Sequence, residues 1–230
     1  MNEIICADCL DILKSMPDKS VDLVLTDPPY GIDYQSARRI DRNEWKPKIA
    51  NDKEPCVAWI DDAARVLADG GSLLCFCRWD VEDAFKKAIE DAGLIVRSQV
   101  IWDREGHGMG DLHAQFAPCH DIIWFATKGD FAFPGKRPES IVRSPRVGGL
   151  SMVHPNEKPV DLMRYLIGAV SNEGDTILDP FAGSGTTCVA AKILGRKYIG
   201  IEISPVYAKI ARKRVEQAQY EEHLFEGPNG

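Results

Sequence analysis

Apolar and polar positions along this chain fall into two kinds of block. Short, nearly continuous apolar runs bounded by turn residues lie at 3–6, 21–25, 72–77, 94–102, 120–126, 176–178 and 197–201, and they read as buried strands. Between them come stretches with apolar residues three and four apart, which predict helices over 8–16, 55–68, 81–92, 159–170, 184–194 and 205–219. Val57, Ile60, Ala64 and Leu67 share one face of the second, which stops at Gly70-Gly71. Asp80 is placed to cap the third, and Gly93 to close it. Pro159 suits the first position of the fourth, and Ser204-Pro205 opens the last. Strand and helix alternate throughout. That predicts an α/β fold, a doubly wound, mostly parallel sheet with helices on both faces. Periodicity fails over 31–54, 103–116 and 128–153, which are expected to be functional loops, and the polar tail 220–230 is expected to fray.

Composition narrows the class without choosing a function. At 230 residues, with 44% hydrophobic and 27% charged side chains, the chain suits one domain with a sizeable core. No apolar run approaches the roughly 20 residues a bilayer span needs, and residues 1–6 do not resemble a signal peptide. A cytoplasmic protein with no membrane contact is expected. Seven cysteines without framework spacing fit that compartment. Cys6 and Cys9 form a C-x-x-C, but no second pair follows at zinc-ligand spacing, so no metal is expected. A net charge of −7 argues mildly against nucleic acid, yet the basic residues are unevenly placed. Arg38, Arg39, Arg42 and Lys46 cluster in the first loop, and Lys136, Arg137, Arg143 and Arg146 in the third. Each cluster alone reads as a solvated loop.

The chemistry concentrates in two stretches. Val21–Leu25 leads into Thr26-Asp27-Pro28-Pro29-Tyr30-Gly31, which sets a carboxylate at the strand's carboxyl edge, where open α/β sheets bind ligands. Pro28 and Pro29 lack N–H groups and fix φ, so the loop is rigid and its carbonyls face outward as acceptors. A carboxylate, a carbonyl and the Tyr30 ring side by side suit a planar ring bearing an amino group. A bare β-turn with an exposed Asp is the plainer alternative. The second stretch, Asp179-Pro180-Phe181-Ala182-Gly183-Ser184-Gly185-Thr186-Thr187, joins a strand to a helix. Gly183 and Gly185 allow close backbone approach, and the helix start offers unpaired N–H groups. Glu202 ends the next strand, where such sheets place an acid against ribose hydroxyls. The third glycine of a dinucleotide site and the lysine of a P-loop are both missing, so a nucleoside-like cofactor without phosphates fits best.

Together, D-P-P-Y and D-P-F-A-G-S-G-T-T resemble the amino-group methyltransferases of DNA. Their order along the chain is similar to that of the family's β class, a circular permutation of the Rossmann-like, seven-stranded methyltransferase sheet. Ala7-Asp8-Cys9-Leu10 and His154-Pro155-Asn156-Glu157-Lys158-Pro159 resemble further elements of that family. The resemblance spans nearly the whole chain. It implies S-adenosylmethionine as cofactor, wrapped by Asp179, Phe181, Gly183, Ser184, Gly185 and Thr186. Glu202 would accept from its ribose, Ile203 would pack on its adenine, and Asp8 would accept from its amino group. Asp8 reads equally well as a helix N-cap. His154 and Lys158 would close the methionine side, beside Asp27. Asp27 and the Pro28 carbonyl would accept the target amine's two N–H bonds, with Pro29 stiffening the loop and Tyr30 stacking on a base that has left the duplex.

The resemblance also implies double-stranded DNA as partner and allows a homodimer. Aspartate at the head of the tetrapeptide leans toward the N6 amine of adenine over the N4 amine of cytosine. An RNA adenine methyltransferase and a non-catalytic cofactor-binding subunit are the remaining alternatives. With no added recognition region, the three loops and their basic residues are the candidates for DNA contact.

Overall fold

The structure is a computed structural model, and it describes residues 2–31, 54–108, 113–147 and 157–221. Fourteen elements run in the order β1 Asn2–Cys6, α1 Cys9–Ser15, β2 Val21–Thr26, α2 Ile60–Val66, β3 Leu67–Cys77, α3 Glu82–Asp91, β4 Ile95–Asp103, β5 His120–Thr127, β6 Ile141–Arg143, α4 Val160–Val170, β7 Thr176–Asp179, α5 Thr186–Ile193, β8 Lys197–Glu202 and α6 Pro205–Gln217. All eight strands join one sheet in the order β1-β8-β7-β2-β3-β5-β4-β6. Every neighbouring pair is parallel except β3·β5 and β5·β4, so β5 alone runs against the rest.

Helices cover both faces, as the alternation of blocks requires. Leu13 of α1, Ile60 and Val66 of α2, and Phe85 and Ile89 of α3 build the core on one face. Leu162 and Ile167 of α4, Cys188 and Ala191 of α5, and Ala211 and Val215 of α6 build it on the other. Small residues let α5 and α6 lie close to the sheet. A Cβ on Gly200 of β8 would come within 2.7 Å of both Cys188 Sγ and the Ile4 side chain.

The predicted elements are present with four differences. The basic segment after β5 contributes an eighth strand, β6, whose three residues pair with Ile101, Trp102 and Asp103. The helix expected over 55–68 is only Ile60–Val66, because the backbone from Leu67 already runs extended into β3. Asp80 pairs with Arg78 at 2.6 Å instead of capping α3, whose N-cap Val81 makes no side-chain bond. The helix expected from 184 starts at Thr186, because Gly183 and Gly185 stand at φ of 51° and 84°, outside helical space. Among the described residues no helix is long and apolar enough to cross a membrane.

The strand order fixes where ligands go. From β2 the chain crosses to β3 on one side, and from β7 it crosses to β8 on the other. The crevice between the carboxyl ends of β2 and β7 is therefore a topological switch point, the usual ligand site of open α/β sheets. Asp27 follows β2, and Asp179 ends β7.

Candidate active site

The two acid–proline loops touch at their roots. Thr26, fully buried as the last residue of β2, donates its hydroxyl to Asp179 Oδ1 at 2.8 Å. Asp179 Oδ1 also accepts from the Phe181 N–H at 3.1 Å, an Asx-type bond that turns the chain out of β7. Asp179 is buried and has no cationic partner among the described residues, so desolvation pushes its carboxyl up to about 6, although the bonds from Thr187, Thr26 and Phe181 oppose that shift. The loop closes with the Gly185 N–H on the Ala182 carbonyl at 2.7 Å and the Gly183 N–H on Glu202 Oε2 at 2.8 Å. Glu202 spends its other oxygen on the Ser204 N–H at 2.7 Å, and burial raises its pKa against those two bonds. Each oxygen keeps a lone pair for another donor.

Arg214 of α6 clamps this loop from behind. Its guanidinium donates to the Ser184 carbonyl at 2.9 Å, to Ser184 Oγ at 2.7 Å and to Glu157 Oε1 at 2.5 Å. Glu157 is nearly inaccessible, so this arginine ties the chain segment entering α4 to the glycine loop.

The first loop is built around charge. Asp27 Oδ2 takes the Lys158 ammonium at 2.9 Å, and Oδ1 accepts a short hydrogen bond from the Tyr30 hydroxyl. Burial and then the Asp27 charge hold the Tyr30 hydroxyl well above its ordinary pKa, so it stays a donor. The Tyr30 ring meets Phe85 edge-on at 6.3 Å. The Pro29 carbonyl is taken by the Cys56 N–H at 3.1 Å, whereas none of the described residues donates to the Pro28 carbonyl. Gly31, at φ 83°, turns the chain away where a Cβ would strike the Glu54–Pro55 backbone at 2.5 Å.

Lys158 is shared. Its ammonium also lies 3.6 Å from Asp121 Oδ2 and sits over the rings of Phe76 and Trp102 at 4.8 and 5.7 Å. Burial pulls its pKa down, but Asp27 and then Asp121 more than offset this, and it stands above the ordinary value. Asp121 in turn pairs with Arg104 at 3.1 Å. A chain of alternating charge thus runs Asp27–Lys158–Asp121–Arg104 along this edge. Asp121 and Arg104 went unnoticed in the sequence. They reach this edge because β5 runs backwards, which brings its first residues to the edge where the other strands end.

The remaining candidates separate. Asp8 caps α1 by accepting from the Leu10 N–H at 2.9 Å, and it also lines a small pocket with Pro29, Phe181, Glu202 and Ile203. Ile203 is half exposed there. A second small pocket, bounded by Asp27, Lys158, Asp179, Gly183, Ser184 and Thr186, shares Phe181 with the first. Arg143 sits at the same edge, 3.7 Å from Asp103, and the Arg146 guanidinium lies against Gly108. Arg137 instead lines a separate cavity of about 860 Å³ between β4, β5 and α4, which shares no residue with either motif loop. Lys136, beside it in sequence, is exposed on the same segment. His154, Arg38, Arg39, Arg42 and Lys46 lie outside the described residues.

Comparison with known proteins agrees with this arrangement. A family model for DNA methylases of the N6/N4 type matches residues 21–213, and the chain belongs to that family. The type II methyltransferase M.HpaI of Haemophilus parainfluenzae is 31% identical over 237 residues, covering 93% of this chain and 74% of its own. The crystal structure of M1.HpyAVI in complex with SAM superposes with a TM-score of 0.72 at 26% identity, over 93% of this chain and all of the other. The cytosine-N4-specific PvuII methyltransferase shares the fold, with a TM-score of 0.74 at 17% identity over 98% and 89% of the two chains.

Proposed function

We propose that this protein transfers the methyl group of S-adenosylmethionine to the N6 amine of an adenine flipped out of duplex DNA. The observation that carries the reading is the Asp27 carboxylate. It is fixed by Lys158 and Tyr30 at the switch point, directly beside the glycine loop that follows Asp179. The residues around that loop fit the cofactor: carboxylates at Asp8 and Glu202, an exposed apolar side chain at Ile203 and an aromatic ring at Phe181 border adjoining pockets. The cofactor would supply an electrophilic methyl group on a sulfonium.

The chain's own residues do the rest by position. An exocyclic amine is a poor nucleophile, because its lone pair is delocalised into the ring. Asp27 accepts one of its N–H bonds with a lone pair left free by Tyr30 and Lys158, and the Pro28 carbonyl accepts the other. Held so, the lone pair is directed out of the ring plane toward the methyl donor. Asp27 is also the acceptor nearest the proton that the nitrogen sheds after transfer. Tyr30 supplies a ring face for the base. The mechanism needs no covalent intermediate and no metal ligand set.

Adenine is favoured by aspartate at the head of the tetrapeptide, whereas the fold, shared with a cytosine-N4-specific enzyme, does not discriminate. We read the whole chain as one catalytic domain, with Arg143 and Arg146 contacting phosphates beside the cleft. Binding should then weaken steeply with salt. A homodimer would enlarge this small DNA surface. Incubation with methyl-labelled S-adenosylmethionine and unmethylated duplex DNA, then digestion to nucleosides, tests the reading. Label in N6-methyladenine supports it, label in N4-methylcytosine reverses the base, and label in neither removes it.

A further inference from the structure

Phe116 is the one fully solvent-exposed aromatic among the described residues, at 100% of its accessible surface. A lone exposed apolar side chain ordinarily needs no explanation. Its place in the fold gives this one a meaning. Because β5 runs against its neighbours, the loop between β4 and β5 leaves and re-enters the sheet at the edge that carries Asp27: His120 pairs with Asp103, and Ile122 with Cys77.

The base of that loop is stapled shut. The Arg104 N–H donates to the Cys119 carbonyl at 2.9 Å, the Gly108 N–H to the Pro118 carbonyl at 2.8 Å and the Arg104 guanidinium to the same Pro118 carbonyl at 2.6 Å. Arg104 also holds Asp121, which shares Lys158 with Asp27. The segment that presents Phe116 is thus anchored, through three charged side chains, to the carboxylate proposed to hold the target amine. Phe116 lies five residues before Asp121. Even a fully extended chain keeps it within about 17 Å of that residue, comparable to the roughly 12 Å width of a major groove. Around the loop stand Arg143 and Arg146, cations suited to phosphates.

We propose that Phe116 is the wedge of this enzyme, a ring that enters the base stack of duplex DNA and fills the gap left when the target base swings toward Asp27. The inference rests on the function proposed above. Unstacking a paired base is the costly part of flipping, and an apolar ring inserted between base steps offsets it. Phe116 has no packing role to lose, so its replacement leaves the fold intact.

The test uses the wild-type enzyme, Phe116→Ala and Phe116→Trp on two synthetic duplexes. Both contain a site mapped by sequencing DNA methylated by the wild type. In one the target base is paired, and in the other it faces an abasic position. For Phe116→Ala, methylation of the paired duplex should fall about tenfold to a hundredfold, while the abasic duplex, already unstacked, should change less than about twofold. Phe116→Trp should retain most of the rate on both. An equal fall on both duplexes reduces Phe116 to an ordinary contact and overturns the wedge. No fall on either places it off the interface and overturns it too. If the wild type labels no DNA at all, the proposed function fails and the wedge with it.

Discussion

The loops after β2 and β7 begin with the same two residues, Asp-Pro, at the ends of adjacent parallel strands, yet their acids live in opposite environments. Asp27 keeps its side chain 21% exposed and is held by a cation and a phenol. Asp179 is buried and, among the described residues, accepts from neutral donors. The residues that follow explain the contrast. Pro28 and Pro29 bring no N–H groups, so the first loop cannot turn inward on its own carboxylate, which stays available at the cleft. Phe181 brings an N–H that bonds Asp179, and Gly183 and Gly185 bring positive-φ freedom, so the second loop turns tightly out of β7 with its acid at the root. In the proposed reaction, one aspartate is kept for a substrate. The other is spent on shaping a backbone.

That division predicts how each loop breaks. Asp27→Ala should lower methyl transfer about a thousandfold or more, close to 4 kcal/mol of transition-state stabilisation, while cofactor affinity stays within about threefold. Single-turnover kinetics beside equilibrium cofactor binding make the check. A comparable loss of cofactor binding would erase the distinction between the two acids.

Gly185→Ala attacks the other loop through its backbone. The residue stands at φ 84°, and a Cβ there would lie 2.8 Å from the Ala211 Cβ of α6, which cannot swing aside. Strain and overlap together should cost about 2 to 3 kcal/mol of stability in urea denaturation and weaken cofactor binding. Turnover of the fraction that does bind cofactor should change little.

Much of this was legible in the sequence, and the reason is local. Asp-Pro-Pro-Tyr and the glycine loop carry their geometry in their own residues: fixed φ at the prolines, positive φ at the glycines, and a strand before each. The alternation of blocks likewise gave seven strands and six helices, because burial on a sheet imposes a periodicity on each. What escaped depends on pairing. Nothing in Ile141–Arg143 marks a strand until β4 is beside it, and Asp121 looks like any acid before an apolar run. Its meeting with Lys158 follows only from the reversed direction of β5, a property of the sheet as a whole. Arg214 is similar: it reads as one basic position among several on α6, and its hold on Ser184 and Glu157 exists only once α6 packs behind the loop.

Lys158 tests which loop it serves. By resemblance it closes the methionine side of the cofactor, yet its ammonium lies on Asp27 and Asp121. Lys158→Met keeps an apolar stem over Phe76 and Trp102 and removes the charge. If the lysine works by holding Asp27, kcat should fall about tenfold to thirtyfold with the dissociation constant for cofactor unchanged, and Lys158→Arg should recover part of the rate. Weaker cofactor binding at an unchanged kcat would assign it to the other loop.

The smallest effect should appear in the pH dependence of stability. Asp179 has its folded-state pKa raised to about 6 from an ordinary value of 3.8. A proton therefore binds the folded chain more tightly than the unfolded one. The stability this supplies is fully present below the unfolded pKa, and it is lost as pH rises through the folded one. Between pH 8 and pH 5 the group should add about 1.4 kcal/mol to wild-type stability. Asp179→Asn has no proton to take up. The difference in unfolding free energy between wild type and variant should therefore shift toward the wild type by that amount on acidification, measured in urea at both pH values. No shift would mean that Asp179 is solvated in the folded protein, and the contrast between a buried acid and one open at the cleft would lose its physical basis.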